Sequence, residues 1–393
     1  MTLRLACFSP LPPQHTGIAD YSADLLPYLT QHADVDAFVD HPEQVREDLR
    51  ELLTVHPIES YAERLWDYDM AIYQMGNSLH HYSTLATALR FPGVLVLHDR
   101  TLHHLLASVT AGAGDFSAYW RELTFARGRE GADRAWAISR GADTPLFDWS
   151  LNKRAMASSL GVLVHSDDLR MRLYRDHPTT PVTKIGQPVP LPQSVPKNEL
   201  RRKLGLSDDD FVIITCGKIT PEKRLDIVAE FYARLYRDHP CTTWLLAGES
   251  DDSTAMWLEA LATSDHGHTI RRLGYVARLD DLYAYLAAAD VCINLRDPSA
   301  GETSATALRA MASGTPVVVS DSGWYRELPE ACAPRIVHDG DEVNQLYGVI
   351  VPWLEDRALC AAAGAAARAY VAETCDPHQV VLGYLRAVQE AIG

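Results

Sequence analysis

The sequence predicts an α/β protein made of two doubly wound domains, each with a parallel sheet covered by helices. Short apolar runs typical of buried strands alternate with amphipathic stretches at helical spacing in both halves of the chain. The length of 393 residues suits two domains of roughly 150–200 residues better than a single core. Between the halves, GQPVPLPQSVPKNE (186–199) holds four prolines, which disfavours a helix or a central strand. This stretch is the predicted hinge.

The predicted elements follow the same alternation on both sides of the hinge. Helical spacing marks IADYSADLLPYLTQH in the first half, and RLDIVAEFYARLYRDH and RLDDLYAYLAAA in the second. Residues 101–160 are mostly helical in pattern. We expect Rossmann-like domains at 1–187 and 188–372, and a C-terminal helix at 373–393 that packs back on the first domain. The strand-like runs are LRLACFS, DVDAFVD, MAIYQMG, GVLVLHD, LGVLVHS, DFVIITCG, TTWLLAGE, HTIRRLGYV, DVCINLR and TPVVVSD.

Composition argues against several functional classes. The net charge of −16 argues against a nucleic-acid partner, whose binding requires a basic surface. No apolar run approaches the roughly 20 residues of a transmembrane helix, although a local basic patch allows peripheral membrane contact. The N-terminal stretch reads as a strand and a loop, not a secretory signal. Seven dispersed cysteines without a CxxC pair indicate reduced thiols, and we expect a cytoplasmic protein.

A basic cluster follows one predicted strand of the second half. In VIITCGKITPEKR, Gly217 turns the chain, and Lys218, Lys223 and Arg224 follow within a few residues. Cations at the carboxyl end of a strand suit a diphosphate. The alternative is a solvated turn with surface lysines. The stretch matches neither a P-loop nor GxGxxG, so those nucleotide sites are not predicted.

The stretch AGETSATALRAMASG predicts a helix start that is suited to an anion. Thr303 and Ser304 are expected at its first turn, where unpaired backbone N–H groups and hydroxyls can hold phosphate. Glu302 can cap the helix or accept hydrogen bonds from sugar hydroxyls. Small residues around Gly301 let a ligand approach the backbone. A simple helix cap is the alternative for both hydroxyls.

The first half carries further polar residues at strand ends. Gly17 lies in a loop between the first strand and a helix, and Asn77 follows YQMG. His98 and Asp99 come directly after the apolar run GVLVL, a position suited to catalysis, although a lone histidine is more often structural. We expect no metal site at the pairs His80–His81 and His103–His104, because adjacent histidines point apart.

Taken as an ordered set, these motifs resemble the retaining GT-B glycosyltransferases of family 4, the group 1 glycosyl transferases. The resemblance covers nearly the whole chain. Its first-half motifs are P…TGIADYS, GN, LHD and VHS, and its second-half motifs are GKITPEKR, AGE, LGYV, LAAADVCINLR, P..GETS and AMASGTPVVVSD. It implies the GT-B fold, in which two Rossmann-like domains face each other across a cleft. The first domain would bind the acceptor and the second the nucleotide sugar.

The resemblance also implies residue roles. Lys218 and Lys223 match the basic pair on the donor diphosphate, where the family usually has Arg and then Lys. Thr303 and Ser304 match the helix start that holds phosphate, and Gly17 matches a loop that phosphate approaches. His98 matches the family's first-domain histidine near the donor sugar and the reacting centre. Tyr275 and Val276 match the segment whose backbone contacts the nucleobase. Asn77 and Asp99 are our candidates for the acceptor side.

One part of the family pattern is missing. The family has two glutamates eight positions apart, and here those positions are Gly301 and Arg309, with Glu302 one residue further on. The usual ribose contact therefore does not transfer. We keep Glu302 as a catalytic contact to the donor sugar and Gly301 as part of the donor site. Arg309 either pairs with phosphate or lies on the helix surface.

The predicted activity is hexosyl transfer in carbohydrate biosynthesis, from a UDP- or GDP-type sugar to an acceptor hydroxyl. The resemblance implies retention of configuration by same-face attack, without a metal ion or cofactor. The expected acceptor is a small molecule, a glycan or a lipid-linked molecule. A sugar-nucleotide epimerase or a phosphorylase of the same shape is the alternative enzyme, and a non-catalytic sugar-binding protein is the alternative outside enzymes.

Overall fold

The computed structural model of the protein describes residues 2–250 and 252–393. They form two compact units. Among these residues, the first unit comprises 2–188, 300–303 and 377–393, and the second comprises 189–250, 252–299 and 304–376. The first change of unit along the chain falls inside the proline-rich stretch.

The first unit is built on a parallel sheet, which has seven strands in the part of the chain that the structure describes. Its elements up to the hinge are β1 (Arg4–Phe8), α1 (Gly17–Leu29), β2 (Asp34–Val39), α2 (Glu47–Leu52), β3 (Thr54–Pro57), α3 (Tyr61–Arg64), β4 (Met70–Met75), α4 (Tyr82–Arg90), β5 (Val94–Leu97), α5 (His103–Val109), α6 (Phe116–Arg127), α7 (Arg129–Ser139), α8 (Lys153–Ser158), β6 (Gly161–Val164), α9 (Asp167–Asp176) and β7 (Val182–Lys184). The strand order is β3-β2-β1-β4-β5-β6-β7.

The second unit repeats this plan with a smaller parallel sheet, of six strands among the described residues. Its elements are α10 (Lys197–Leu204), β8 (Phe211–Cys216), α11 (Leu225–Asp238), β9 (Thr242–Ala247), α12 (Asp252–Ala262), β10 (Ile270–Gly274), α13 (Leu279–Ala288), β11 (Val291–Asn294), α14 (Ala305–Ala312), β12 (Val317–Ser320), β13 (Arg335–Ile336), α15 (Glu342–Glu355) and α16 (Arg357–Thr374). The strand order is β10-β9-β8-β11-β12-β13. The last helix, α17 (Pro377–Ile392), belongs to the first unit.

The central strands are buried on both faces, as their continuous apolar sequences require. In β1, Leu5 and Cys7 pack into one core and Ala6 and Phe8 into the core on the opposite face, following the two-residue period of a strand. The core that contains Leu5 also takes up the apolar side of α17. Two parallel sheets covered on both faces confirm the predicted α/β class.

A buried ion network fixes one side of the second unit. Asp290, next to β11, lies between three cations, with contacts of 2.7 Å to Arg201, 3.2 Å to Lys197 and 2.8 Å to Arg357. Burial disfavours the charged carboxyl, but these cations and the backbone N–H of Val212 outweigh it and lower the pKa of Asp290. The guanidinium of Arg201 also donates to four backbone carbonyls, which ties α10 to the sheet.

Replacing Arg201 with leucine is expected to lower the free energy of unfolding by about 3–5 kcal/mol, since it breaks a buried pair from one side. The matched control is Lys203→Ala on the same helix, because Lys203 pairs with Glu199 at the surface. Water screens that exposed pair, so its loss should change the free energy of unfolding little. Urea unfolding measures both variants. Equal stability of the two variants would contradict a structural role for this network.

The cysteines and the length of the apolar helices were both considered in the sequence. All seven cysteines are free, and six of them are buried. Among residues 2–250 and 252–393, no helix combines the length and the apolar character needed to cross a bilayer.

Candidate active site

In the second unit, neighbouring strands reach glycines that turn the chain away from the sheet. Gly217 follows β8 and Gly248 follows β9, with φ of +98° and +156°. A Cβ at Gly248 would lie 2.0 Å from the carbonyl oxygen of Gly217, so only glycine fits this approach of two strand ends. The carboxyl edge of the sheet therefore presents bare backbone, at the position where α/β sheets bind ligands.

Lys223 packs against this turn and is 8% exposed. Its Nζ donates to the carbonyl oxygen of Cys216 at 2.9 Å and to Oδ1 of Asn294 at 3.3 Å. A Cβ at Gly217 would come within 3.0 Å of the same Nζ, so the ammonium directly adjoins the turn. A cation fixed at a strand end gives the sheet edge a positive potential.

The other two cations of GKITPEKR have different surroundings. Lys218 is exposed in the turn after β8. Arg224 forms ion pairs with Glu342 at 3.3 Å and with Asp297 at 3.5 Å, so its charge is balanced inside the unit. Within this cluster, Lys218 and Lys223 are therefore the better candidates for an anion.

The start of α14 is linked to Lys223 through one side chain. Ser304 is the N-cap, and its Oγ accepts from the backbone N–H of Ala307 at 3.2 Å. The same Oγ accepts from Nδ2 of Asn294 at 2.7 Å, while Oδ1 of Asn294 accepts from Lys223. Asn294 thereby holds the ammonium and the positive end of the helix in one hydrogen-bonded network.

The residues before this cap belong to the first unit. Gly301 has φ +84°, and a Cβ there would lie 3.0 Å from Cβ of Arg100. Thr303 precedes the cap instead of lying in the first turn, and its hydroxyl donates to Gln187 at 2.7 Å. Glu302 is half-buried and is not the capping residue. The cap interpretation therefore applies to Ser304, whereas Glu302 stays a predicted sugar contact.

Arg309 is 5% exposed, so the alternative that it lies on the helix surface is wrong. It adds to a positive field around the thiol of Cys216. A hydrogen bond from Cys292 lowers the pKa of that thiol against the opposing effect of burial, and the charges of Lys223 and Arg309 lower it further. Two buried cations thus adjoin the end of β8 in a chain of net charge −16.

Tyr275 and Val276 directly follow β10, at the same edge of the sheet. Tyr275 is 44% exposed, and Val276 packs against the core beside it. An exposed ring at this edge suits contact with a planar base. The assignment of these residues to the nucleobase stays a prediction.

In the first unit, Gly17 is the first residue of α1 and is exposed. A Cβ built there would meet no described atom within 4 Å, so packing does not require glycine at this position. Thr16 caps the helix by accepting from the backbone N–H of Ala19 at 3.0 Å. The start of α1 is therefore open to an approaching ligand.

His98 follows β5 and lies in a cluster of polar side chains. Its Nε2 is 2.8 Å from Oε1 of Gln74, and its ring packs edge-on against Tyr21, with ring centres 4.6 Å apart. Burial, followed by the nearby His165 and His81, holds the pKa of His98 well below its ordinary value. The imidazole is therefore neutral at pH 7.

The two acceptor candidates form internal hydrogen bonds. Nδ2 of Asn77 donates to Nδ1 of His104 at 2.8 Å. Its Oδ1 accepts from the backbone N–H of Leu105 at 3.2 Å. The carboxylate of Asp99 accepts from the backbone N–H of Asn77 at 2.9 Å. Both residues order the loops after β4 and β5, and their role toward an acceptor stays a prediction.

The adjacent histidine pairs have structural contacts. His81 hydrogen-bonds the carbonyl oxygen of Gln74, and His103 bridges the carbonyl oxygen of Trp149 and the hydroxyl of Tyr119. In the part of the chain that the structure describes, no three or more His, Cys, Asp or Glu side chains form a group that could hold a metal ion.

Sequence reasoning did not single out Gln74 or Asn294. Gln74 lies near the end of the apolar strand MAIYQM, and Asn294 ends the apolar strand VCIN. The two side chains are at most 2% exposed. An amide within an apolar strand was the sequence signal that could have identified them, because a buried amide requires polar partners. The functional interpretation of Lys223 and His98 depends on these two amides.

Comparison with known proteins gives a family match in the second half of the chain. Residues 210–356 match the family model described as glycosyl transferases group 1. A GDP-mannose-dependent monoacylated alpha-(1-6)-phosphatidylinositol monomannoside mannosyltransferase of Corynebacterium glutamicum is 26% identical over 261 residues, covering 61% of this chain and 66% of that protein. Alpha-monoglucosyldiacylglycerol synthase of Acholeplasma laidlawii is 30% identical over 122 residues, 30% of this chain and 29% of the synthase. The chain thus spans less than two thirds of either relative.

Solved structures match the whole length. Anabaena HepE in complex with UDP and glucose aligns with a TM-score of 0.71 at 15% identity, covering 99% of this chain and 100% of that one. Sucrose-phosphate synthase from Thermosynechococcus elongatus aligns with a TM-score of 0.72 at 18% identity, covering 99% and 98%. Part of the second half of the chain therefore resembles the group 1 glycosyltransferases, and the whole chain has the GT-B fold of these solved structures.

Proposed function

We propose that the protein transfers a sugar from a nucleoside-diphosphate donor to a hydroxyl of an acceptor, with retention of configuration. The observation that carries this proposal is the network Lys223–Asn294–Ser304 at the carboxyl end of the second sheet. It combines a buried ammonium, a glycine turn and a helix N-terminus, which together suit a diphosphate.

The network matches the charge that develops during transfer. The bond between the sugar carbon and the diphosphate oxygen breaks as the acceptor oxygen bonds to the same carbon, and the departing diphosphate gains negative charge. Groups already fixed in place stabilise that charge without reorganising. The acceptor's proton passes to an oxygen of the departing phosphate, which supplies the base on the same face of the sugar.

We assign the exposed Lys218 to the diphosphate as well, and Tyr275 and Val276 to the base. In this proposal the lysines and the start of α14 provide the positive charge, so transfer requires no bound metal ion. Undiminished turnover in EDTA is the expected result. In the first unit, His98 is assigned to the reacting sugar as a neutral imidazole, and Glu302 to a sugar hydroxyl.

The names of the relatives are consistent with the expected donors and acceptors. One is named for GDP-mannose, and the Anabaena structure was solved with UDP and glucose. The two bacterial relatives are named for a phosphatidylinositol monomannoside and for a glucosyldiacylglycerol, whereas the Thermosynechococcus enzyme is named for sucrose phosphate. We propose a UDP- or GDP-hexose donor, and an acceptor that is a lipid-linked molecule, a glycan or a small molecule.

The test is thermal unfolding with UDP, GDP, dTDP, ADP and CMP, for wild type, Lys218→Ala and the surface control Lys203→Ala. A ligand at 100 times its Kd adds about 2.7 kcal/mol, which raises Tm by several degrees. One nucleotide should stabilise wild type and the control, and stabilise Lys218→Ala less. Equal stabilisation of all three proteins would remove Lys218 from the site, and stabilisation by none, even as UDP- and GDP-sugars, would contradict the proposal.

The corresponding sugar donor then distinguishes the activities. A transferase releases the nucleoside diphosphate when an acceptor is present, an epimerase leaves the sugar nucleotide intact, and a phosphorylase requires inorganic phosphate. The configuration of the product at the transferred carbon, read by NMR, tests retention. An inverted product would contradict the same-face route.

A further inference from the structure

Three segments that are distant in sequence meet next to His98 in the first unit. Gln74 bridges His98 and the C-terminal helix. Its Oε1 lies 2.8 Å from Nε2 of His98, and its Nε2 donates to the hydroxyl of Tyr384 at 3.2 Å. The Tyr384 hydroxyl also lies 2.6 Å from that of Tyr21. Tyr384 itself is fully buried in α17.

These contacts determine the proton position on the imidazole. An amide has one donor end and one acceptor end. With Nε2 of Gln74 donating to Tyr384, its Oε1 faces His98 and can only accept. A neutral His98 must therefore carry its proton on Nε2, and Nδ1 keeps the lone pair.

We infer that Tyr384 is a positioning residue, which orients Gln74 so that His98 is held as the Nε2–H tautomer. This inference deepens the proposed function, and rests on it for the effect on turnover. Without the Tyr384 hydroxyl the amide loses the partner of its donor end. It can then rotate and present Nε2 to His98, which would move the proton to Nδ1.

Tyr21 provides a matched control. Tyr21→Phe and Tyr384→Phe both remove the 2.6 Å contact between the two hydroxyls, but only Tyr384→Phe also removes the partner of Gln74. Both variants lose one buried hydroxyl from the same cluster. A purely structural effect would therefore change the two proteins alike.

The experiment is NMR of ligand-free protein labelled with ¹⁵N-histidine, with the His98 signals identified by their loss in His98→Asn. Wild type and Tyr21→Phe should show the Nε2–H pattern, and Tyr384→Phe should show a mixture of tautomers. A Nδ1–H pattern in wild type, or identical spectra for the two tyrosine variants, would overturn the inference. This measurement needs no turnover, so its outcome is independent of whether the proposed activity is found.

Kinetics provide the second readout. Tyr384→Phe should lower kcat about tenfold relative to Tyr21→Phe, because a small misplacement of a group at the reacting centre is costly. The KM for the donor should change little. Gln74→Met, which removes both ends of the amide, should lower kcat at least as far. Equal kcat for the two tyrosine variants would contradict a positioning role.

Discussion

Lys223→Met is expected to lower kcat by about 10²–10³-fold, the usual cost of removing one fixed group that stabilises developing charge. Methionine keeps most of the apolar stem and removes the ammonium that adjoins Gly217. The carbonyl oxygen of Cys216 and Oδ1 of Asn294 each lose a donor, which costs about 1–3 kcal/mol of stability. Steady-state kinetics with the stabilising sugar donor, together with urea unfolding, measure both effects.

The comparison with Lys218→Ala separates charge from folding. Lys218 is exposed, so its removal should weaken nucleotide binding and leave the unfolding curve unchanged. The surface variant Lys203→Ala should match wild type in turnover. If Lys223→Met retained near-normal turnover in a folded protein, the diphosphate assignment would be wrong.

The fold was predictable where burial is high. Strands such as β4 and β8 are buried at every position, so each is a continuous apolar run in the sequence. The edge strands β3, β7 and β13 were not predicted. They are short, and β3 and β7 are largely exposed, so they carry no apolar run for sequence reasoning to detect.

The sequence predicted which loops form the candidate site, but it did not predict which side chains contact one another there. The strand ends and the helix start near Ser304 follow from strand and helix patterns. The difference between the buried Lys223 and the exposed Lys218 does not, because both lie in one polar turn. The contact of Gln74 with Tyr384 joins residues 310 positions apart, and only tertiary structure brings them together.

The first unit is expected to lose stability steeply between about pH 6.5 and pH 4. Burial lowers the pKa of His81, His103 and His165 from 6.5 to about 4 in each case, and that of His98 well below its ordinary value. Between these values the unfolded chain binds a proton at each histidine and the native state does not. The free energy of unfolding therefore falls by about 1.4 kcal/mol per pH unit for each histidine.

The sum is large compared with the stability of a domain. Three such histidines over about two pH units cost roughly 8 kcal/mol, which is within the usual total of about 5–15 kcal/mol. All four side chains belong to the first unit, so hydrogen exchange read by mass spectrometry should show its peptides losing protection before those of the second unit. His103→Gln should flatten the pH dependence relative to the exposed control His41→Gln. Constant protection of the first unit down to pH 4.5 would mean that these histidines are not held neutral by burial.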